Sequence, residues 1–148
     1  MARVVDVALY ITTEIGEVAP MKLQRLIYFS QVWCLVWDKH SLFNEDIHAW
    51  PTGPAVPALY PYHKGVFRVD HNNFSDGDIG ALTSNQKDCI NAALKQLKDK
   101  SGQELSDISK DHCWKKAREG LSPLEQGNKI MSLTEIHGYY LWVQYFFL

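Results

Sequence analysis

The sequence contains no apolar run that approaches the roughly 20 residues needed to span a membrane. Its longest candidate, Gly138–Leu148, is too short and includes Gln144. The N-terminal segment carries Asp6 and has no small-residue cleavage site after an apolar stretch, so it does not resemble a secretory signal. We therefore expect a cytoplasmic protein with no membrane partner.

Cysteines are few, and neither sign of charge is in large excess. The three cysteines, Cys34, Cys89 and Cys113, are odd in number and far apart, and no C-x-x-C pair occurs. Reduced thiols fit this pattern better than a disulfide framework. The formal net charge is −2, with acidic and basic residues mixed along the chain. Because there is no basic stripe, nucleic acid is not the expected partner.

Catalytic and metal-binding motifs are missing as well. The sequence has no G-x-S-x-G element, no glycine-rich phosphate loop and no H-E-x-x-H pair. Only one of the six histidines, His112, is adjacent to a cysteine, Cys113, and sequence neighbours rarely point at one metal ion. We therefore expect neither a metal nor a cofactor. A thiol nucleophile, with Cys34 meeting His48 in space, stays as an alternative that lacks a third residue to orient it.

The main positive signal is apolar periodicity. Apolar residues make up 46% of the 148 residues, and no internal repeat or low-complexity tract interrupts them. This length is sufficient for a single domain, residues 1–148, with its own core. Helical spacing, together with capping boxes that begin at Thr83, Ser101 and Ser132, predicts a mainly α fold, a compact bundle of about five to seven helices with a small two-stranded β element. The predicted helices cover Arg3–Ile15, Met21–Asp38, Asn85–Lys100, a short segment over Leu105 and Ile108, and a last segment that begins at Ser132.

The β element is predicted from alternation over Leu42–Trp50, which is strongest over Ile47–Trp50, with Val66–Val69 as its expected partner strand. The strand ends at Pro51-Thr52-Gly53-Pro54, called the corner below. Because its prolines lack the N–H that a sheet needs, we expect the corner to be exposed and rigid. A rigid segment loses little entropy on binding, which favours partner recognition. Trp50, at the strand end, is either a core residue or an interface anchor.

Three polar side chains share one face of the predicted second helix. Gln24, Tyr28 and Gln31 are spaced by four and three residues, so they lie on the same side. They can hydrogen-bond either to a partner protein or to a loop of the same chain, and the sequence favours the loop.

The end of the chain is unusually aromatic. Tyr139, Tyr140, Trp142, Tyr145, Phe146 and Phe147 all fall within the predicted last helix. Two interpretations remain open: the helix docks on its own core, or its aromatic residues form a surface for a homodimer or another partner.

The stretch from Met21 to Tyr60 resembles a known family. It reads MKLQRLIYFSQVW and then LFNEDIHAWPTGPAVPALY, and these runs are similar to the pattern of the Panacea domain family, which includes SocA-like antitoxins and GepA-like phage-associated proteins. The matching residues are Met21, Lys22, Leu23, Gln24, Leu26, Tyr28, Gln31, Trp33, Leu42, Phe43, Glu45, Ile47, Ala49, Trp50, Gly53, Pro54, Val56, Pro57, Leu59 and Tyr60. Weaker similarity continues at Trp114-Lys115 and Ala117-Arg118.

The resemblance implies a mostly helical domain with no catalytic residues. Its members act as antitoxins that bind and neutralise a co-encoded protein toxin, in phage, prophage and toxin–antitoxin loci. One SocA-like member is an adaptor that presents its toxin to a ClpXP-type protease. The resemblance thus implies a toxin partner and, in the adaptor form, a protease.

The sequence therefore predicts a non-enzymatic, antitoxin-like binding protein. The alternatives are a small enzyme that uses Cys34 or a histidine, and a DNA-binding autorepressor. The residues expected to bind the partner are Gln24, Tyr28, Gln31, Trp50, Pro51, Thr52, Gly53, Pro54, Val56 and Tyr60.

Overall fold

The computed structural model describes the backbone of residues 1–147 and the side chains of residues 1–144. This part of the chain forms six α-helices, three short 3-10 helices and one two-stranded antiparallel sheet. The α-helices are α1 (Val4–Ile15), α2 (Pro20–Trp37), α3 (Ser84–Leu97), α4 (Gly102–Ser109), α5 (His112–Ala117) and α6 (Leu133–Phe147). The strands are β1 (His48–Trp50) and β2 (Gly53–Ala55), and the 3-10 helices cover Pro57–Tyr62, His71–Phe74 and Ile79–Ala81. The mainly α fold with a small β element is confirmed.

The central element is α2. Pro20 occupies its first turn, where the missing N–H costs no helical hydrogen bond. Every residue from 23 to 32 is buried, because α2 packs against α1, α3, α4, α6 and β2. A helix covered on all sides also buries its polar side chains, and each of these then needs a hydrogen-bond partner inside the protein. On α2 the polar side chains that are fully buried are Gln24, Arg25, Ser30 and Gln31.

Local sequence signals fix where several helices begin. The predicted capping boxes at Thr83 and Ser101 are both formed, with each hydroxyl and the side chain three residues later bonding one another's backbone N–H. The third box is half formed. Ser132 Oγ accepts from the Glu135 N–H at 3.2 Å, but the Glu135 carboxylate bonds Lys116 Nζ at 2.9 Å.

The partner strand of β1 differs from the prediction. The two strands pair antiparallel in the register His48–Ala55, Ala49–Pro54 and Trp50–Gly53. The expected pairing of β1 with Val66–Val69 is wrong, since Val69 exchanges two backbone hydrogen bonds with Val18 instead. The other edge of β1 is also occupied, because the Met131 N–H donates to the Ile47 carbonyl at 2.7 Å.

The sheet accepts Pro54 because of the direction in which the backbone groups of Ala49 point. The Ala49 N–H donates to the Lys129 carbonyl at 3.1 Å, and its own carbonyl accepts from Arg118 Nη1 at 2.7 Å. Both groups point away from β2, so Pro54, opposite Ala49, does not need an N–H for pairing. The expectation that prolines keep the corner out of a sheet is wrong for this reason.

The core is one cluster that surrounds α2. Its largest fully buried apolar side chains come from five parts of the chain: α1, α2, the segment before β1, the segments between β2 and α3, and α3 itself. Examples are Ile11, Leu26, Phe43, Leu59 and Phe74. Between residues 1 and 147, no helix combines the length and apolar character that a membrane span requires.

Candidate functional site

The hairpin formed by β1 and β2 is fastened to α2 by two consecutive side chains. Gln24 Oε1 accepts from the Val56 N–H at 2.8 Å, and its Nε2 donates to the Val56 carbonyl at 3.2 Å. Arg25 Nη1 donates to the Pro54 carbonyl at 2.8 Å, and Nη2 donates to Thr52 Oγ1 at 2.9 Å. Because both residues lie on a buried helix, their hydrogen bonds attach the hairpin directly to the core.

Gly53 lets the hairpin approach Arg25 closely. A Cβ at this position would lie 2.7 Å from Arg25 Nε and 2.9 Å from Ser109 Oγ. Its φ of +137° is also a conformation that side chains with a Cβ rarely adopt. The backbone of Gly53 therefore lies directly against the guanidinium, between α2 and the end of α4.

The opposite side of the hairpin is held by α5 and the loop that follows it. Trp114 Nε1 donates to the Trp50 carbonyl at 2.8 Å. Arg118 binds the Ala49 carbonyl and stacks on the Trp114 ring, with Cζ 5.7 Å from its centroid. Lys110 Nζ lies 5.6 Å from the same centroid. Arg118 also donates to the carbonyls of Ser122, Glu125 and Gln126.

Four residues of the predicted site reach solvent together, and we call them the tip surface: Trp50, Pro51, Thr52 and Tyr60. Trp50 and Pro51 are half-buried, Thr52 is exposed, and Tyr60 is 41% exposed. The rings of Trp50 and Tyr60 meet edge to face, with centroids 5.8 Å apart. Trp50 is therefore intermediate between a core residue and an exposed one. Its carbonyl accepts a hydrogen bond from Trp114, while the residue stays partly accessible to solvent.

The rest of the corner is buried beneath this surface. Gly53 and Pro54 are buried, and so is Val56, which follows the corner. The expectation that the whole corner is exposed is wrong for Gly53 and Pro54, because Arg25 and the sheet register draw them inward.

The three polar residues predicted on one face of α2 all bond within the chain. Gln24 holds Val56, as described above. Gln31 Oε1 accepts from the Leu42 N–H at 2.5 Å, and Nε2 donates to the Phe43 carbonyl at 3.0 Å. Tyr28 donates to Asp111 Oδ2 at 2.6 Å. Their surroundings match the alternative in which they bond to loops of the same chain, and none of the three lies on the tip surface.

His63 joins the tip surface to Gln24. It is 4% exposed and lies edge to face with Tyr60, with centroids 5.3 Å apart. Its Nε2 is 3.1 Å from Gln24 Nε2, and since an amide nitrogen is a donor, His63 Nε2 must accept. Burial lowers the pKa of His63 below its ordinary value, which favours the neutral ring that this contact requires.

The thiol proposed as an alternative nucleophile is deeply buried. Cys34 on α2 is fully inaccessible, and it interacts with the buried Cys89 of α3. Burial raises the pKa of Cys34 well above the ordinary thiol value, the reverse of what a nucleophilic cysteine needs. Among the residues that the structure describes, no three His, Cys, Asp or Glu side chains are placed to hold a metal ion.

The aromatic end of the chain is partly docked. Tyr140 donates to Asp111 Oδ2 at 2.5 Å, and Tyr139 stacks on His112 with ring centroids 5.5 Å apart. Trp142 stays half-exposed. An apolar groove between α2 and α6 is lined by Val32, Trp33, Val36, Trp37, Tyr140, Val143 and Gln144. Tyr145, Phe146 and Phe147 lie outside the described side chains.

Sequence reasoning gave no site role to the residues that support the tip surface: Arg25, Trp114 and Arg118. Arg25 follows Gln24 in a helix that periodicity already marked as buried, and a buried arginine is rare enough to be a usable signal. Trp114 and Arg118 stood out only through the weaker part of the family resemblance.

The fold and site define a small, mainly helical domain in which a short hairpin is held against a buried central helix. A family model described as antitoxin SocA-like, Panacea domain, matches residues 23–115, and the chain belongs to this family. The matched segment runs from α2 through the hairpin, α3 and α4 into α5, and so includes the tip surface. No curated protein and no solved structure matches the chain.

Proposed function

We propose that this protein is a non-enzymatic antitoxin that binds and neutralises a co-encoded protein toxin through its tip surface. Membership of the antitoxin family supports a toxin as the partner. The observation that carries the choice of surface is the fixed backbone beneath it. Arg25, Trp114 and Arg118 hold the carbonyls of Pro54, Trp50 and Ala49.

A surface with a fixed backbone suits recognition for a thermodynamic reason. The tip surface presents two aromatic rings and a proline on a backbone that is already ordered. Binding therefore orders few additional groups, and more of the contact energy remains as affinity. Tryptophan and tyrosine are also the residue types most often found at the energetic centre of interfaces.

Co-expression with the neighbouring gene tests the proposal. We expect that gene product to be toxic alone, to be neutralised by this chain, and to co-purify with it. The double variant Trp50→Ala/Tyr60→Ala should weaken binding at least 30-fold, which corresponds to about 2 kcal/mol. Phe67→Ala is the matched control, since Phe67 is 92% exposed and lies outside the tip surface; it should leave binding unchanged.

Two results would contradict the proposal at different points. If no neighbouring product is toxic or co-purifies, the antitoxin function fails. If the double variant binds normally while Trp37→Ala does not, the toxin occupies the groove between α2 and α6 instead. Trp37 is 58% exposed in that groove, so its truncation need not disturb the hairpin.

The adaptor form of this function extends the same proposal. As in the SocA-like relative, the bound toxin would be presented to a ClpXP-type protease in the cytoplasm, from a phage or prophage locus. The half-life of the toxin, measured with and without this chain in cells that have or lack the protease, tests it. We expect degradation only when both are present, and protease-independent neutralisation would limit the protein to simple binding.

We also propose that α6 mediates homodimerisation. The support is the apolar groove between α2 and α6 together with the half-exposed Trp142. Sedimentation equilibrium should give a dimer for the wild type and a monomer for Trp37→Ala/Trp142→Ala. A wild-type monomer at about 0.1 mM, a concentration above the micromolar range of moderate affinities, contradicts this part.

A further inference from the structure

Two arginines are buried on either side of the hairpin without an acidic partner. Arg25 is 0% exposed and Arg118 is 8% exposed. The ion pairs among the described side chains involve Arg3, His40, Arg68 and Lys116 as their cations, and neither buried arginine takes part in one. Their hydrogen-bond acceptors are backbone carbonyls and the Thr52 hydroxyl. A buried charge is normally paired, so this arrangement leaves positive charge under the tip surface.

Arg25 is the less satisfied of the two. Among the described residues, its Nε has no hydrogen-bond partner. Burial lowers the pKa of Arg25 to about 10, so the guanidinium is still charged at neutral pH. The end of α4 lies close by at Ser109, and a helix C-terminus supplies at most about half a negative charge. The protein therefore compensates the positive charge of Arg25 only in part.

Thr52 connects this charge to the surface. Nη2 of Arg25 is bonded to Thr52 Oγ1 at 2.9 Å, and Thr52 is exposed. A hydroxyl is a weaker acceptor for a guanidinium than a carboxylate is. An acidic group that arrives at the tip surface can therefore replace the hydroxyl with a gain in hydrogen-bond strength.

The sequence around the tip surface favours an acidic ligand as well. Residues 47–69 contain no Asp and no Glu, although the chain has 17 such residues. Of the two cations in the same stretch, Lys64 is exposed, while Arg68 is paired with Glu17. An approaching carboxylate thus meets no acidic residue of this segment. Thr52 lies in the turn that follows Trp50, whose ring packs against that of Tyr60.

We propose that the tip surface binds an Asp or Glu side chain of the partner protein. The carboxylate replaces the Thr52 hydroxyl as the hydrogen-bond acceptor of Arg25 Nη2. Trp50 and Tyr60 contact apolar residues of the partner next to that acidic residue. In this form the inference rests on the proposed function, because the partner is the toxin. It adds the chemistry of recognition: an acidic residue within an apolar segment.

Thr52→Asp tests the inference without disturbing the core, and Thr52→Asn is its uncharged match. The introduced aspartate would supply the missing carboxylate from within the chain. We expect the thermal midpoint of Thr52→Asp to exceed that of Thr52→Asn by about 2–4 °C at low salt, with a smaller difference in about 0.5 M NaCl, a concentration that screens exposed charges. We also expect Thr52→Asp to bind the neighbouring gene product roughly 10-fold more weakly than Thr52→Asn, because its own carboxylate excludes that of the partner.

Sodium acetate provides a probe that does not depend on the toxin. Compared with sodium chloride at equal ionic strength, acetate should raise the thermal midpoint of the wild type more than that of Thr52→Asp, whose site is already filled. Equal midpoints for the Asp and Asn variants, or an equal response to acetate in the wild type and Thr52→Asp, would overturn the inference.

The outcomes separate this inference from the proposed function. Toxin binding that is equally strong in the Asp and Asn variants overturns the acidic contact and leaves the antitoxin function standing. If Thr52→Asp is stabilised and acetate stabilises the wild type, but the wild type binds no toxin, the carboxylate site is supported and the proposed function is contradicted. Binding of duplex DNA that Thr52→Asp abolishes would make phosphate the ligand and overturn the choice of a protein carboxylate.

Discussion

Asp111 receives hydrogen bonds from three helices. Its Oδ2 accepts from Tyr28 of α2 at 2.6 Å and from Tyr140 of α6 at 2.5 Å, while Oδ1 caps α5 through the Trp114 N–H at 2.9 Å. Burial raises the pKa of both tyrosines, so they remain donors. One carboxylate thus joins the central helix, the last helix and the helix that holds the hairpin.

Removing this carboxylate should cost more than removing an ordinary cap. We expect Asp111→Ala to lower the free energy of unfolding by about 3 kcal/mol, since it loses a cap and leaves two tyrosine hydroxyls without an acceptor. Asp111→Asn should cost about half as much. Urea denaturation measures both. Asp70→Ala, which removes a cap that accepts only from backbone N–H groups, is the control, and an equal loss in both alanine variants would contradict the prediction.

The three thiols should be unreactive in the folded protein. Cys34, Cys89 and Cys113 are buried, and burial raises the pKa of each, that of Cys113 to about 12. The folded protein therefore holds its thiol protons at about pH 8, and labelling with an aromatic disulfide should be slow until urea unfolds the chain. Rapid labelling of native Cys34 would contradict this prediction and would favour the alternative of an enzyme that uses Cys34.

At this scale the sequence shows which side chains share a helix face better than it shows what surrounds them. Trp50 and Tyr60, both expected to bind the partner, share a solvent-facing surface, whereas Gln24 and Gln31 bond to loops. Periodicity shows which face of a helix a side chain occupies, but not whether that face is covered. Arg25 could not be placed, because its acceptors come from β2 and the corner, about 30 residues away in sequence.

Element by element, prediction succeeded where the signal was local. The capping boxes at Thr83 and Ser101 begin α3 and α4 as expected, because each box involves only four consecutive residues. The partner of β1 was wrong because strand pairing is decided by distant groups. Here Lys129 and Arg118 take the outward backbone groups of Ala49, and this is what makes Pro54 acceptable opposite it.

Burial of His63, which also contacts Gln24, makes the stability of the folded protein sensitive to pH. The folded state depresses the pKa of His63 below its ordinary value of 6.5. Below about pH 6.5 the unfolded chain gains a proton that the folded chain resists. The stability that comes from burying a neutral His63 is therefore fully present above about pH 6.5 and is lost as the pH falls toward the folded-state pKa.

We expect His63→Gln to remove this part of the pH dependence. Between about pH 7 and pH 5 the wild type should lose stability more steeply than the variant, by no more than about 1.4 kcal/mol per pH unit for one proton. Chemical denaturation at several pH values measures the difference. His40→Gln, at a side chain 82% exposed, should behave as the wild type does, and the same slope in all three proteins would contradict the role of His63.

On the scale of the whole molecule, α2 is the element on which the others depend. It contacts α1, α3, α4, α6 and β2, and its segment from 23 to 32 has no exposed residue. The mainly α class was predictable because apolar spacing repeats over many residues. The arrangement of the other elements around α2 was not predictable, because a helix that is apolar on most sides does not indicate which element packs against which face.

The expected single domain has a direct test. If residues 1–148 form one cooperative unit, urea should unfold the helices and the tryptophan environments in a single transition. The tryptophans report on separate regions, since Trp33 and Trp37 lie on α2, Trp50 on β1, Trp114 on α5 and Trp142 on α6. Coincident midpoints by circular dichroism and fluorescence are expected, and two separated transitions would show that the chain contains more than one unit.

The second edge of β1 has a consequence for how the protein is made. Ile47 and Ala49 hydrogen-bond to Met131 and Lys129, and the tip surface also depends on Trp114 and Arg118. A nascent chain that has emerged from the ribosome only as far as the corner cannot yet complete that surface, because every support except α2 is still to be synthesised. Under the proposed antitoxin function, neutralising capacity should therefore arise late in translation, and messages broken before the codon for Met131 should yield chains that do not neutralise the toxin.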